Sequence, residues 1–328
     1  MELPLVDLAP WFDGDVAARR AVATAVDAHL QRCGFLVVVN HGIDPAVMDA
    51  CRSACLDFFH RPVEEKEEVA FAGGAYRGWV GAGRESNAAT YGVDTPPDLK
   101  ETYAYGPVDV PRPELEQEAP RWFAPNVWPA APSEFRTAAE AWWRAARGLT
   151  DDLLALLDLA LDQGDLLAGA CGETTATVSL NWYWSRRHQA ASGEAAPADD
   201  QFRIGPHTDF GSLTILDRQP GAGGLQVLDD DGSWIDAPVV EGALIVNTGD
   251  LLRRWSNDRW CSNEHRVLPP PADAPDEELV SLIFFHEPDH DALIAPLPAC
   301  VAADRPPLHD PVVSGDYLAE KMDALSVQ

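Results

Sequence analysis

Two short stretches carry residues whose types and spacing could do chemistry. Gly205-Pro206-His207-Thr208-Asp209-Phe210-Gly211 contains a His-x-Asp triplet, and Asn263-Glu264-His265-Arg266-Val267 contains one further histidine. Two imidazoles and a carboxylate are the set that holds a non-haem Fe(II) on one octahedral face, leaving three positions for O2 and a co-ligand. A closed site would bind the metal without activating oxygen. The triplet suits the end of a strand, because residues i and i+2 share a face. His-x-Asp alone is a weak signal. Its pairing with a distal histidine, each beside a strand-like run, is what points to iron.

Something must bring these distant residues together. The 328 residues allow one large domain or two small ones, and 46% hydrophobic content supports a sizeable core. In the first half, Leu3 to Leu8 reads as a short strand. Asp13 to Arg32 reads as an amphipathic helix with Val16, Ala23, Val26 and Leu30 on one side, stopped by Gly34. Phe35 to Val39 is a buried strand and Asn40-His41-Gly42 a turn. Asp44 then caps a helix with Pro45 at its first position, carrying Met48, Cys51, Cys55 and Phe58. Glu64 to Val69 reads as a charged, solvated helical turn. Residues 107–133 are Pro-rich and irregular, and Ser133 to Asp162 is one long backing helix.

The second half changes character. Thr177 to Trp184, Leu213 to Leu216, Ala243 to Asn247 and Val280 to Phe285 are strand-like. Gly224 to Leu228 and Trp234 to Asp236 flank the turn Asp229-Asp230-Asp231-Gly232 as a hairpin. Residues 188–201 read as a mobile acidic insert. Short strands separated by turns predict an antiparallel barrel or jelly roll, which can bring His207, Asp209 and His265 to one mouth. The expected division is 1–170, a helical and strand region packed on the core, and 171–328, the metal-binding β-rich region, together one structural unit.

Charge and cysteines narrow the setting. The net charge of −29 argues against nucleic acid and anionic membranes as partners. No apolar run is long enough to span a bilayer, and the N-terminal residues show no signal peptide. Cys33, Cys51, Cys55, Cys171, Cys261 and Cys300 are scattered, which fits reduced thiols in a cytoplasm better than a disulfide frame.

Three motifs are decoys. His286-Glu287-Pro288-Asp289-His290 matches the zinc-hydrolase pattern His-Glu-x-x-His, but that pattern needs a helix, and here Pro288 interrupts it after a strand. Asp209-Phe210-Gly211 lacks the other kinase motifs. Gly81-x-Gly83 lacks the strand and helix of a phosphate loop. His41 and His60 are read as structural rather than as ligands.

Larger motifs carry a resemblance. Leu3-Pro4-Leu5-Val6-Asp7, Gly34-Phe35 and Asn40-His41-Gly42 come first, then Arg77-Gly78-Trp79 and Lys100-Glu101. Asn181-x-Tyr183, His207-Thr208-Asp209-Phe210-Gly211-Ser212-Leu213-Thr214, Gly224-Leu225-Gln226-Val227, Asn247-x-Gly249-Asp250 and His265-Arg266-Val267 follow. Over nearly its whole length the chain resembles the isopenicillin N synthase-like family of Fe(II) and 2-oxoglutarate-dependent oxygenases. The resemblance implies a double-stranded β-helix core within an α+β, β-rich fold. It implies His207, Asp209 and His265 as iron ligands, with Tyr183 and Ser281 contacting 2-oxoglutarate. It also implies O2 as co-substrate and oxidation of an unactivated C–H bond in a small molecule, by hydroxylation, desaturation or cyclisation.

One position departs from that pattern. Family members place an Arg-x-Ser on a late strand, where the arginine grips the far carboxylate of 2-oxoglutarate. Aligning Ser281 with that serine puts Leu279 in the arginine's place, and no arginine occurs from Val267 to Asp304. Leu279, Ser281, Ile283 and Phe285 share one strand face by alternation. Losing the partner of a buried carboxylate costs about 3–5 kcal/mol. Either another cation has taken over, with Arg203, Arg253 and Arg254 as candidates, or the enzyme is an oxidase that uses O2 without 2-oxoglutarate. A non-catalytic binding module on the same scaffold is a third reading, opposed by the complete triad. Trp79, Arg84 and Phe285 are candidates for the substrate side.

Overall fold

The computed structural model describes residues 2–87, 96–192 and 201–325. Twelve strands build two sheets. They are β1 (Leu5–Asp7), β2 (Phe35–Val39), β3 (Gly78–Val80), β4 (Glu101–Tyr105), β5 (Thr177–Tyr183), β6 (Ile204–His207), β7 (Leu213–Asp217), β8 (Gly224–Leu228), β9 (Trp234–Asp236), β10 (Leu244–Thr248), β11 (His265–Leu268) and β12 (Leu279–His286). The large sheet runs β1-β2-β10-β7-β12-β5-β4-β3 and the small one β6-β11-β8-β9. Pairing is antiparallel except between β1 and β2.

Period-2 alternation explains how the large sheet serves two surroundings. On β5, Val178, Leu180 and Trp182 join the main apolar core, while Thr177, Ser179, Asn181 and Tyr183 line a cavity. On β12, Val280, Leu282 and Phe284 face the core, and Leu279, Ser281, Ile283 and Phe285 face the cavity. The helices Pro45–Phe59 and Phe135–Leu161 pack against β12 on the core side. A smaller cluster joins Phe35, Val37 and Ile245 of the large sheet to Leu225 and Val227 of the small one. Two facing antiparallel sheets with helices behind the larger are a double-stranded β-helix, or jelly roll, in an α+β fold.

Local signals place the helices. Asp15 accepts from Ala18 N at 2.9 Å to open Val16–Cys33, and Gly34 closes it at φ 67°. A Cβ on Gly34 would strike Cys261 O. Asp44 accepts from Ala46 N at 2.9 Å, with Pro45 next.

Three expectations need correction. Val16 is exposed rather than on the apolar side of its helix. Lys66 lies within the expected solvated turn, yet it is buried. Its ammonium donates to Glu101 Oε2 (2.7 Å) and Phe59 O (3.1 Å) and lies over the Trp79 and Trp182 rings. The expected insert at 188–201 begins inside a helix, Arg186–Ser192, and residues 193–200 lie outside the described residues.

Candidate iron and co-substrate site

The small sheet sets out the two histidines. His207 ends β6, His265 begins β11, and the two are direct antiparallel partners, with ring centroids 4.2 Å apart. Asp209 follows two residues after His207 and presents Oδ1 at 3.7 Å from Nε2 of each imidazole. All three are buried, and one ligand atom from each lies within 4.8 Å of the others. Ligands about 2.1 Å from one ion on an octahedral face sit about 3 Å apart, so closing on a metal needs only small side-chain shifts.

The atoms not aimed at that point are held elsewhere. His207 Nδ1 meets Gly205 O at 2.8 Å, and His265 Nδ1 meets Asn263 O at 3.2 Å. A carbonyl can only accept, so each Nδ1 carries the proton and each Nε2 keeps its lone pair for a metal. Asp209 Oδ2 accepts from Thr214 Oγ1 (2.5 Å) on β7 and Asn247 Nδ2 (2.6 Å) on β10, which leaves Oδ1 to the histidines. Burial, reinforced by the neighbouring His265 imidazole, holds the His207 imidazole well below its ordinary value, hence neutral. Burial opposes ionisation of Asp209. The neighbouring His265 and His207 imidazoles and the two hydrogen bonds outweigh it and hold the carboxyl below its ordinary value. Neutral imidazoles and an ionised carboxylate are the states a divalent metal requires.

The cavity extends from this point between the sheets. Leu279, Ser281, Ile283 and Phe285 all line it, as the alternation predicts. Tyr183 lies directly across from Leu279, and Asn181 across from Ser281. Burial pushes the Tyr183 hydroxyl up, opposed by the charge of Lys100 and by hydrogen bonds with Asn181 and Ser281. Lys100 is already matched: its ammonium donates to Glu85 and, at 2.8 Å, to Thr102 Oγ1. Tyr76 also donates to Glu85, and Thr102 to Asn181 Oδ1 at 2.9 Å.

The three suggested cations separate clearly. Arg203 lines the cavity over the Tyr183 ring, but Glu277 holds its guanidinium at 2.9 Å. Arg253 pairs with Asp258 at 2.9 Å and Arg254 donates to Asp310 O, and neither lines the cavity. Of the substrate-side candidates, Phe285 lines the cavity. Trp79 turns its Nε1 to Glu101 at 2.6 Å and Arg84 is exposed, so both miss it. His286 sits on a strand, its Nδ1 2.7 Å from Ser212 Oγ, and is not part of a helical metal pair with His290. Among the described residues the triad is the one cluster able to hold a metal.

Among the cavity residues that the sequence did not single out, two are ionisable and stand out. Glu287, inside the His-Glu-x-x-His decoy, is buried. Burial raises its carboxyl to about 8, against a hydrogen bond from Thr175 and the charge of Arg77. Arg218 lines the cavity just past β7. The signal for it was the alternation Thr214, Leu216, Arg218, which runs one step beyond the obvious strand.

Comparison with known proteins agrees with this geometry. Residues 3–131 match the family model described as non-haem dioxygenase in morphine synthesis N-terminal, and residues 186–288 match the 2OG-Fe(II) oxygenase superfamily. Validamycin A dioxygenase of Streptomyces hygroscopicus subsp. limoneus is 36% identical over 303 residues, covering 91% of this chain and 80% of that protein. The 2-oxoglutarate-Fe(II) type oxidoreductase hxnY of Emericella nidulans is 31% identical, covering 96% and 88%. A Neurospora crassa protein whose crystal structure holds alpha-KG and thymine superposes with a TM-score of 0.83 at 28% identity, covering 98% of this chain and 96% of that one. JOX2 in complex with 2OG, Fe and JA gives a TM-score of 0.76 at 26% identity, covering 100% and 90%. The chain belongs to the 2OG-Fe(II) oxygenase superfamily. It is an Fe(II)- and 2-oxoglutarate-dependent dioxygenase with O2 as co-substrate, which favours 2-oxoglutarate use over the O2-only alternative.

Proposed function

We propose that this dioxygenase oxidises an unactivated C–H bond of a small metabolite, by hydroxylation, desaturation or cyclisation. The observation that carries the reading is the Nε2, Nε2, Oδ1 trio of His207, His265 and Asp209 opening into a buried cavity. In this reading the three residues ligate iron, and Tyr183 and Ser281 contact 2-oxoglutarate. Iron with 2-oxoglutarate and O2 supplies the oxidising power when bound. The chain's own work is to orient and to exclude water. Thr214 and Asn247 fix the Asp209 carboxylate, and Phe210, Ile283 and Phe285 give the cavity apolar walls that keep it dry.

Small-molecule chemistry fits the relatives, whose names and ligands include validamycin A, thymine and JA. The net charge of −29 disfavours nucleic acid as a partner. No helix among the described residues is long and apolar enough to cross a membrane. The six free cysteines suit a reducing cytoplasm. The test is consumption of 2-oxoglutarate across a panel of small metabolites. A metabolite that accelerates succinate formation and is itself recovered oxidised supports the reading. Iron-independent turnover of that metabolite would refute it.

A further inference from the structure

Leu279 removes the guanidinium that the family uses at this wall, and the structure shows where another one stands. β12 pairs with β7 in the register Leu282↔Asp217 and Ile283↔Leu216. Continued one step past the last paired residues, this register sets Arg218 opposite Ser281. Val280 N donates to the side-chain Oε1 of Gln219 at 2.8 Å, which keeps the two segments close there. Arg218 follows Thr214 and Leu216 on the cavity face, so its side chain shares that face with Ser281. Ser281 lies close enough to Tyr183 to help stabilise its ionised form against the burial that pushes the hydroxyl up. Tyr183, Ser281 and Arg218 thus lie side by side on three adjacent strands, β5, β12 and the end of β7.

The partners of the nearby cations single out Arg218. Lys100 is matched by Glu85, and Arg203 by Glu277. Glu277 also accepts from Ala222 N at 2.7 Å and Gly223 N at 3.4 Å, so its carboxylate is already engaged. Arg218 donates to the backbone oxygen of Ala237, and among the described residues no carboxylate pairs with it. Burial lowers its pKa, opposed by the charge of Asp236. A half-buried guanidinium with one carbonyl partner keeps donors for a carboxylate that the chain does not provide.

Resting on the function proposed above, we propose that Arg218 takes the role of the missing arginine. Its guanidinium, with the Ser281 and Tyr183 hydroxyls, receives the distal carboxylate of 2-oxoglutarate. The grip has moved one strand sideways, from β12 to the end of β7, while the serine and tyrosine stay in place. Leu279 then fills the vacated position as an apolar wall against Gly221, whose Cβ would lie 2.6 Å from Leu279 Cδ1.

The test is anaerobic titration of the Fe(II)-loaded protein with two acids, read by the visible charge-transfer band. 2-Oxoglutarate carries the distal carboxylate, and 2-oxobutyrate carries the same keto-acid head without it. Arg218→Met is expected to weaken 2-oxoglutarate by about 100-fold and to leave 2-oxobutyrate within about threefold. If Arg218→Met does not fold, Arg218→Gln must shift the ratio of the two affinities in the same direction. Unchanged 2-oxoglutarate affinity, or equal weakening of both acids, would overturn the assignment. Wild-type protein that binds iron but shows no band with either acid would instead overturn the underlying function, and the assignment with it.

Discussion

At the metal end of the cavity, each polar atom not aimed at the shared point has a partner within the chain. Gly205 O and Asn263 O hold the imidazole Nδ1 atoms, and Thr214 and Asn247 hold Asp209 Oδ2. Elsewhere along the cavity walls, the ionisable groups Arg218 and Glu287 are treated differently. Arg218 has one carbonyl partner, and Glu287 has a hydroxyl partner and a carboxyl pushed up to about 8. The difference teaches what each region is for. A ligand set must be aimed before the metal arrives, so its remaining atoms are tied down. A wall that waits for a ligand leaves donors and acceptors uncommitted.

The largest break in that comparison comes at the metal end. Asp209→Ala removes the proposed anionic ligand and leaves the two imidazoles. Stoichiometric Fe(II) binding should be lost, as measured by metal analysis after anaerobic reconstitution. Retention of one iron per chain would mean the ion sits elsewhere.

Glu287 tests the wall. Its folded pKa of about 8 lies above the ordinary 4.5, so the native state holds a proton that the unfolded chain has released. Stability therefore falls as pH rises between those values. Glu287→Gln removes this penalty, on the order of 5 kcal/mol at about pH 9. The variant should melt above wild type at about pH 9 and close to it at about pH 4. A pH-independent difference would show that the carboxyl ionises normally.

A smaller effect is expected from trimming a partner rather than a ligand. Asn247→Ala frees one side of Asp209 Oδ2 and should weaken iron about 10–100-fold, read by competition with a chelator. Unchanged affinity would show that Thr214 suffices to aim the carboxylate. The smallest effect belongs to Leu279→Arg. If Arg218 already grips the distal carboxylate, restoring the family's arginine should change 2-oxoglutarate affinity by less than about threefold. A hundredfold gain would show that the wall had no cation in use.

Much of this arrangement was legible beforehand, for reasons particular residues make plain. Strands β5, β7, β10 and β12 have branched, aromatic and apolar runs bounded by turns, and the triad sits beside such runs. Alternation alone placed Leu279, Ser281, Ile283 and Phe285 on the cavity. What escaped was set by packing between segments far apart in sequence. Lys66 sits in a charged stretch and gives no local sign that Glu101 and two tryptophan rings bury it. Trp79 looked available for substrate, but Glu101 claims its Nε1. Arg218 lies at a strand end before Gln219-Pro220, where the turn hides the face it occupies. Arg203 does reach the cavity, but the ion pair with Glu277 that neutralises it depends on a residue beyond any local window.

The central claim is that His207, Asp209 and His265 present one iron to 2-oxoglutarate within the cavity. Anaerobic addition of Fe(II), followed by 2-oxoglutarate, tests it most directly. The account predicts one tightly held iron per chain and a visible charge-transfer band that grows to saturation with the keto acid and is absent in Asp209→Ala. Iron that binds equally well to Asp209→Ala, or a wild-type complex that stays colourless with saturating 2-oxoglutarate, would contradict it.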